Sequence, residues 1–301
     1  MAPSSDLVAL SLDAVIVAVT NDVPRVLVVD DPTVEASAIP SGPLDVADDA
    51  TLELGMRRWI RARAGIEVGY IEQLYTFGDR GRARASATAR PVSVAYLALV
   101  QETVPTAGAR WADVYELLPW EDHRNGSPAA LEAITPALDH WAGDDPDRRA
   151  RIHLTFGDPW DGIRVLDRYE LLYSAGAVAE AAVDAGLPVP DGVVGEAMFA
   201  DHRRVVATAL GRLRGKLTYR PLVFELLGER FTLLELQRTV EALAGVRRHK
   251  QNFRRFVERS RLVEGTGERA AAGTGRPAEL FRYRPEVQLE RSRPGLGQPY
   301  G

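Results

Sequence analysis

Apolar residues run almost unbroken over positions 7–19 and again over 25–29, with a polar turn at 21–24 between them. Dense apolar runs bounded by turn residues predict buried strands, so two paired strands open the chain. The period then changes. Leu52, Met56, Trp59 and Ile60 recur at helical spacing, Asp48 and Asp49 precede them and Gly65 follows. Acids near the start and a glycine at the stop predict a helix over 48–64. Residues 71–77 and 91–100 return to strand patterns, and the second is nearly all apolar, as expected of a central strand. Further along, the pattern predicts helices at 128–141 and 165–185, a strand at 151–156, and a connecting segment at 186–195 (GLPVPDGVVG).

Beyond 195 the elements shorten and become helical. Val206, Leu210, Leu213 and Leu217 share a face within 196–217. A second helix starts near Thr232, where Glu235 three residues on completes a capping box, and Gly245 ends it. Leu233, Leu236, Val240 and Leu243 form its apolar stripe. A third helix covers 248–260, with Phe253, Phe256 and Val257 expected inward and the cations outward. A Gly-rich loop then leads to a strand at 279–284. Helix, helix, basic helix and β-hairpin is the outline of a winged helix-turn-helix, whose third helix enters the major groove. Arg254, Arg255 and Gln251 are the groove candidates, since Arg pairs with guanine edges and Gln or Asn with adenine. Asn252 braces the helix or joins them. Arg214, Lys216, Arg247 and Arg276 suit phosphate contacts, Tyr219 adds a hydrogen bond, and Arg248 and Lys250 belong to the outer, DNA-facing side of the third helix.

Charge sharpens this picture. The net charge of −5 hides a split: residues 202–301 hold 21 Lys and Arg against 10 acids, whereas residues 1–201 hold 16 against 32. Such asymmetry points to a polyanionic partner for the C-terminal part, or to a solvated basic surface. Two domains are expected in 301 residues, at 1–195 and 196–301, with a tail from about 286. With no Cys there is no disulfide framework or thiolate site. The run at 7–19 contains Asp13 and is too short to span a bilayer, so no membrane is expected and the cytoplasm is the expected compartment.

In two regions the chain resembles the Nudix-related transcriptional regulators of the NrtR type. IEQLYTFGD at 71–79 with PVSVAYLALV at 91–100 resembles their Nudix domain. RLRGKLTY at 212–219, FTL at 231–233, NFRR at 252–255 and GRPA at 275–278 resemble their DNA-binding half. The resemblance implies an α/β (α+β) sandwich of mixed sheet and helices followed by the winged helix. It implies a homodimeric regulator, most simply a repressor, on a double-stranded DNA operator, with ADP-ribose or a related nucleotide sugar as effector and no cofactor. The segment 122–195 is longer than the family pattern.

A Nudix enzyme holds Mg²⁺ with glutamates on one helix. Arg58 and Gly65-Ile66 match that motif, but Ala50, Trp59, Ala62 and Arg63 occupy its glutamate positions. No Nudix hydrolysis is therefore expected; the alternative is a pyrophosphohydrolase carrying a nucleic-acid-binding domain. Arg58, Phe77, Arg80, Arg82 and Arg84 are candidates to hold the ligand. The histidines, at 123, 140, 153, 202 and 249, form no metal-spaced pair.

Overall fold

The structure is a computed structural model and describes residues 7–30, 36–78, 89–106, 108–270 and 277–286. The chain divides into two compact units. The larger comprises Met1–Leu226 and Thr239–Arg247, the smaller Leu227–Arg238 and Arg248–Gly301.

In the larger unit, β1 (Leu7–Thr20) and β2 (Val23–Asp30) form the expected hairpin, turning through Asn21 and Asp22 with positive φ. Short β3 (Ser37–Ala38) and β4 (Ser41–Pro43) follow, then helix α1 (Leu52–Ala64), β5 (Tyr70–Phe77), β6 (Ala89–Leu99) and β7 (Ala109–Asp113). The sheet runs β3-β2-β1-β6-β5, with β4 on β1 and β7 on β2. It is mixed: β1 and β6 are parallel and every other pair is antiparallel. The apolar run at 91–100 does become a central strand.

Strand alternation sends each face to a different helical layer. Leu12, Ala14 and Ile16 of β1, with Val94, Tyr96 and Ala98 of β6, pack on Met56 and Ile60 of α1. Val15, Val17, Ala95, Leu97 and Leu99 face the other way, onto a helical layer. That layer is α2 (Val114–Leu117), α3 (Ala129–Ala142), α4 (Pro146–Phe156), α5 (Val165–Ser174), α6 (Ala179–Asp184) and α7 (His202–Leu217). Segment 122–195 is thus mostly helix laid against the sheet.

Several expectations are corrected here. Residues 151–156 are the end of a helix, not a strand. The Asp145 side chain accepts from the backbone N–H groups of Asp147 and Arg148, and Pro146 takes the first helical position, so a helix is started before the alternation begins. Leu154 is exposed, so that alternation does not report burial. The helix expected over 165–185 is two, broken where Gly176 turns left-handed. α1 begins at Leu52 because Thr51 caps it, its hydroxyl accepting from Leu54 N–H at 3.1 Å. The boundary at 195/196 also moves. α7 buries Val205, Val206, Ala209, Leu210 and Leu213 in the core of the larger unit, so that unit continues to Leu226.

In the smaller unit, the capping box forms as expected at the start of α8 (Leu233–Ala244). Thr232 Oγ1 accepts from Glu235 N–H at 3.1 Å, and the Glu235 carboxylate accepts from Thr232 N–H at 2.6 Å. Then come α9 (Lys250–Ser260) and the antiparallel hairpin β8 (Val263–Arg269) and β9 (Glu279–Tyr283). Phe231 and Phe281 exchange backbone hydrogen bonds of 3.0 and 2.8 Å, which pins the hairpin to the segment before α8. The second half of α8 and the following turn group with the larger unit. Among the described residues, no helix is long and apolar enough to cross a membrane.

Candidate functional site

The helix-turn-helix is α8, the turn at 245–249, and α9. Gly245 allows the tight turn because its φ is +70°. A side chain there would strike the Glu121 carbonyl, 2.3 Å from an added Cβ. At the turn's far end the Gln237 side chain donates to the Arg248 carbonyl at 3.0 Å, tying α8 to the start of α9. Left-handed Arg261 ends α9, and the chain enters the wing.

α9 separates its residues by face. Phe253, Val257 and Ser260, spaced by four and three, are buried. Lys250, Gln251, Asn252, Arg254, Arg255 and Arg259 are exposed. Among the described residues, no acid pairs with Lys250, Arg254 or Arg255. The hairpin behaves differently: Glu264 takes Arg282 and Arg284, and Arg230 pairs with Glu268. The cationic surface of the smaller unit is therefore concentrated on the helix. Arg248 is exposed at the helix entry, and Arg276 lies outside the described residues.

One expected inward residue faces out. Phe256 is 59% exposed. At a mean of 3.6 residues per turn it lies off the stripe that Phe253, Val257 and Ser260 define. The three-residue step from Phe253 made it look internal, but Ser260 occupies the inner face in its place.

Four phosphate candidates, Arg214, Lys216, Tyr219 and Arg247, belong to the larger unit, and the first two are spent there. Arg214 is buried, not presented to solvent. Its guanidinium meets the Glu121 carboxylate, and it donates to the Leu243 and Gly162 carbonyls at 2.9 and 3.1 Å. Burial is the strongest single influence and works against its charge, but the Glu121 charge, the Tyr115 hydroxyl and the hydrogen bonds to both together outweigh it and raise its pKa. Arg168 holds the other side of Glu121 at 2.6 Å, so one fully buried carboxylate sits between two guanidiniums. Lys216 pairs with Glu72. These two corrections share a cause: sequence counts charges but cannot see an acid some 90 to 150 residues away that neutralises them. Tyr219 is exposed, and Arg247 is exposed while paired with Glu241 at 3.0 Å.

The α1 surface was the other candidate. Arg58 grips Asp49 through two hydrogen bonds of 2.9 and 2.7 Å. That pairing holds the Asp49 carboxyl at about 2, well below its ordinary value. Trp59 lies over Gly42, donates to the Pro43 carbonyl at 2.8 Å, and has the Arg58 and Arg63 guanidiniums 5.0 and 5.4 Å from its ring. Glu53 is paired with Arg57. Ala50, Trp59, Ala62 and Arg63 supply no carboxylate and one cation, so these positions do not fit a Mg²⁺ ion. Among the described residues, no group of three or more His, Asp or Glu side chains could hold a metal. Phe77 packs in the core, edge-on to Tyr75, and is not presented to a ligand. Arg80, Arg82 and Arg84 lie outside the described residues. His202 is buried, and its Nδ1 accepts from Ile39 N–H at 3.2 Å, a structural role.

Residues 223–283 match the family model of the NrtR DNA-binding winged helix domain. The C-terminal module is similar to that winged-helix domain over this stretch. A curated relative, the ADPR responsive transcriptional repressor NtrR of Acinetobacter baylyi, is 39% identical over 83 residues, which cover 28% of this chain and 33% of that protein. The match thus spans a third of the relative's length. Over the whole chain the fold is that of Shewanella oneidensis NrtR, solved in complex with a 27mer DNA: the TM-score is 0.57 at 22% identity, covering 93% of this chain and 95% of that one. A MutT/nudix family protein from Enterococcus faecalis shares the fold at a TM-score of 0.55 and 16% identity, covering 94% and 89% of the two chains. The larger unit accordingly has a Nudix-like fold ahead of the NrtR-type module.

Proposed function

We propose that the chain is a DNA-binding transcriptional repressor, acting as a cytoplasmic homodimer, whose Nudix-like unit senses ADP-ribose or a related nucleotide sugar and does not hydrolyse it. The observation that carries this reading is the α9 surface. Within a domain matched to an NrtR winged helix, Lys250, Gln251, Asn252, Arg254 and Arg255 stand exposed on one helix whose opposite side is buried. Such a helix reads base edges while its cations neutralise phosphates. Arg248 at the helix entry extends the contact, Tyr219 and Arg247 of the larger unit remain candidates for phosphate, and so does Arg276 on its place in the sequence pattern alone. The effector reading rests on the Nudix-like fold and on the likeness to the Acinetobacter repressor, which is ADPR responsive. Loss of hydrolysis rests on α1 and the residue before its cap, where Ala50, Trp59, Ala62 and Arg63 stand in place of the expected carboxylates.

Control by an effector requires that it bind DNA-competent and DNA-incompetent arrangements with different affinity. A gel-shift titration with the region upstream of the protein's own operon, with and without ADP-ribose, tests both parts. Binding that ADP-ribose weakens supports the reading; binding that it leaves unchanged removes ADP-ribose as effector. Release of AMP from ADP-ribose in the presence of Mg²⁺ overturns the assignment as a non-enzyme.

A further inference from the structure

Phe256 is a large apolar side chain, more than half exposed, set on the most cationic helix of the smaller unit. Its neighbours along the helix surface are polar: Asn252 one turn before, Arg255 beside it and Arg259 one turn after, all exposed. An aromatic ring left in water there gains nothing for the fold, since Phe253 and Val257 already fill the inner face. A surface this rich in Arg, Lys, Gln and Asn suits a polyanion and is a poor match for an apolar protein face. The apolar group that B-DNA offers in its major groove is the C5-methyl of thymine.

We infer that Phe256 is a base-reading residue that contacts a thymine methyl, and that it works with Asn252 to select an A·T element in the operator. This rests on the DNA-binding reading above. Helical side chains lean toward the N-terminus, so the Phe256 ring leans toward Asn252. The two residues are about 6 Å apart along the axis, at about 1.5 Å rise per residue. That is within two base-pair steps of about 3.4 Å. Asn pairs bidentately with the N6 and N7 groups of adenine, and the thymine methyl lies on the same groove floor. One residue thus reads hydrogen bonds and the other reads a methyl group. Arg254 and Arg255, which face other directions around the helix, remain available for guanine or phosphate.

The test uses the full chain and a pool of random-sequence duplexes. Wild type and the variants Phe256→Ala and Phe256→Leu are each carried through selection, and affinities are then measured on the wild-type consensus. Deoxyuridine replaces thymine at each position in turn, which removes only the methyl. Withdrawing a buried methyl is expected to weaken wild-type binding about fourfold at one position. The same replacement should leave Phe256→Ala unaffected, and Phe256→Leu should keep most of the sensitivity. Phe256→Ala should also relax the consensus at that position alone. Phe256 is exposed, so its replacement leaves the melting temperature unchanged. A wild-type consensus insensitive to every deoxyuridine overturns the inference while leaving DNA binding intact, and needs no variant to show it. So does a Phe256→Ala protein with the wild-type consensus but an altered oligomeric state, which would place the ring at a contact between copies. If wild type enriches no sequence at all, the DNA-binding reading itself fails.

Discussion

Replacing Glu121 by Ala removes one carboxylate and strands two cations. Glu121 and Arg168 are fully buried and Arg214 is nearly so. In the native arrangement Glu121 binds Arg168 at 2.6 and 3.0 Å and also meets Arg214. Backbone carbonyls take the remaining guanidinium hydrogens: Thr155 and Asp161 for Arg168, Leu243, Gly162 and Glu121 for Arg214. Removing the acid from such a cluster costs about 3–5 kcal/mol, because the charges left behind are buried and uncompensated. A unit of this size loses about 2–4 °C per kcal/mol, so its melting transition should fall on the order of 10 °C. Scanning calorimetry on the full chain measures it, with the larger unit's transition followed by itself because a two-unit chain need not melt in one step. The triple replacement Glu121→Leu, Arg168→Met, Arg214→Met should recover much of the loss, since no buried charge then remains. A fall of less than about 2 °C for Glu121→Ala would refute the reasoning.

Other outcomes follow from the same structure. Arg254→Ala and Arg255→Ala should each weaken specific DNA binding by about 1–3 kcal/mol in an anisotropy titration without altering the melting temperature. Arg214→Ala should do the reverse, lowering thermal stability while leaving the salt dependence of DNA binding unchanged. Thr232→Ala removes a helix cap and should destabilise the smaller unit by about 1 kcal/mol in urea. Because Arg58 depresses the Asp49 carboxyl from 3.8 to about 2, that pair stabilises the fold above pH 4 and is lost as pH falls through 2. The stability gap between wild type and Asp49→Asn should therefore be full at pH 6 and close progressively between pH 4 and pH 2 in acid denaturation.

Much of the sheet was legible because its two central strands are buried on both faces over much of their length. The runs at 7–19 and 91–100 carry apolar residues at successive positions, and β1 and β6 lie side by side at the centre. The Thr232–Glu235 capping box, the Gly65 stop and the Gly245 stop were legible because each is a local device that needs no distant partner. What failed depended on tertiary context. Ile152, Leu154 and Phe156 alternate like a strand, yet Asp145 and Pro146 had already started a helix. Arg214 and Lys216 counted as surface cations until the fold brought Glu121 and Glu72 to them. Phe256 had the spacing of a core residue on a helix whose inner face takes a serine instead. Of the proposed recognition surface, Lys250, Gln251, Asn252, Arg254 and Arg255 are exposed as the sequence pattern expected. That surface was legible because a helix that buries one stripe must present the other.

Whether α9 reads sequence in DNA is decided by affinity measured against salt for two duplexes. One duplex is the upstream region of the protein's own operon and the other a scrambled duplex of equal length and composition. Log affinity should fall linearly with log salt for both, by about 0.9 per phosphate contact, while the upstream duplex stays at least about a thousandfold tighter throughout. Equal affinity for the two duplexes, or an affinity that does not respond to salt, would contradict sequence reading by α9.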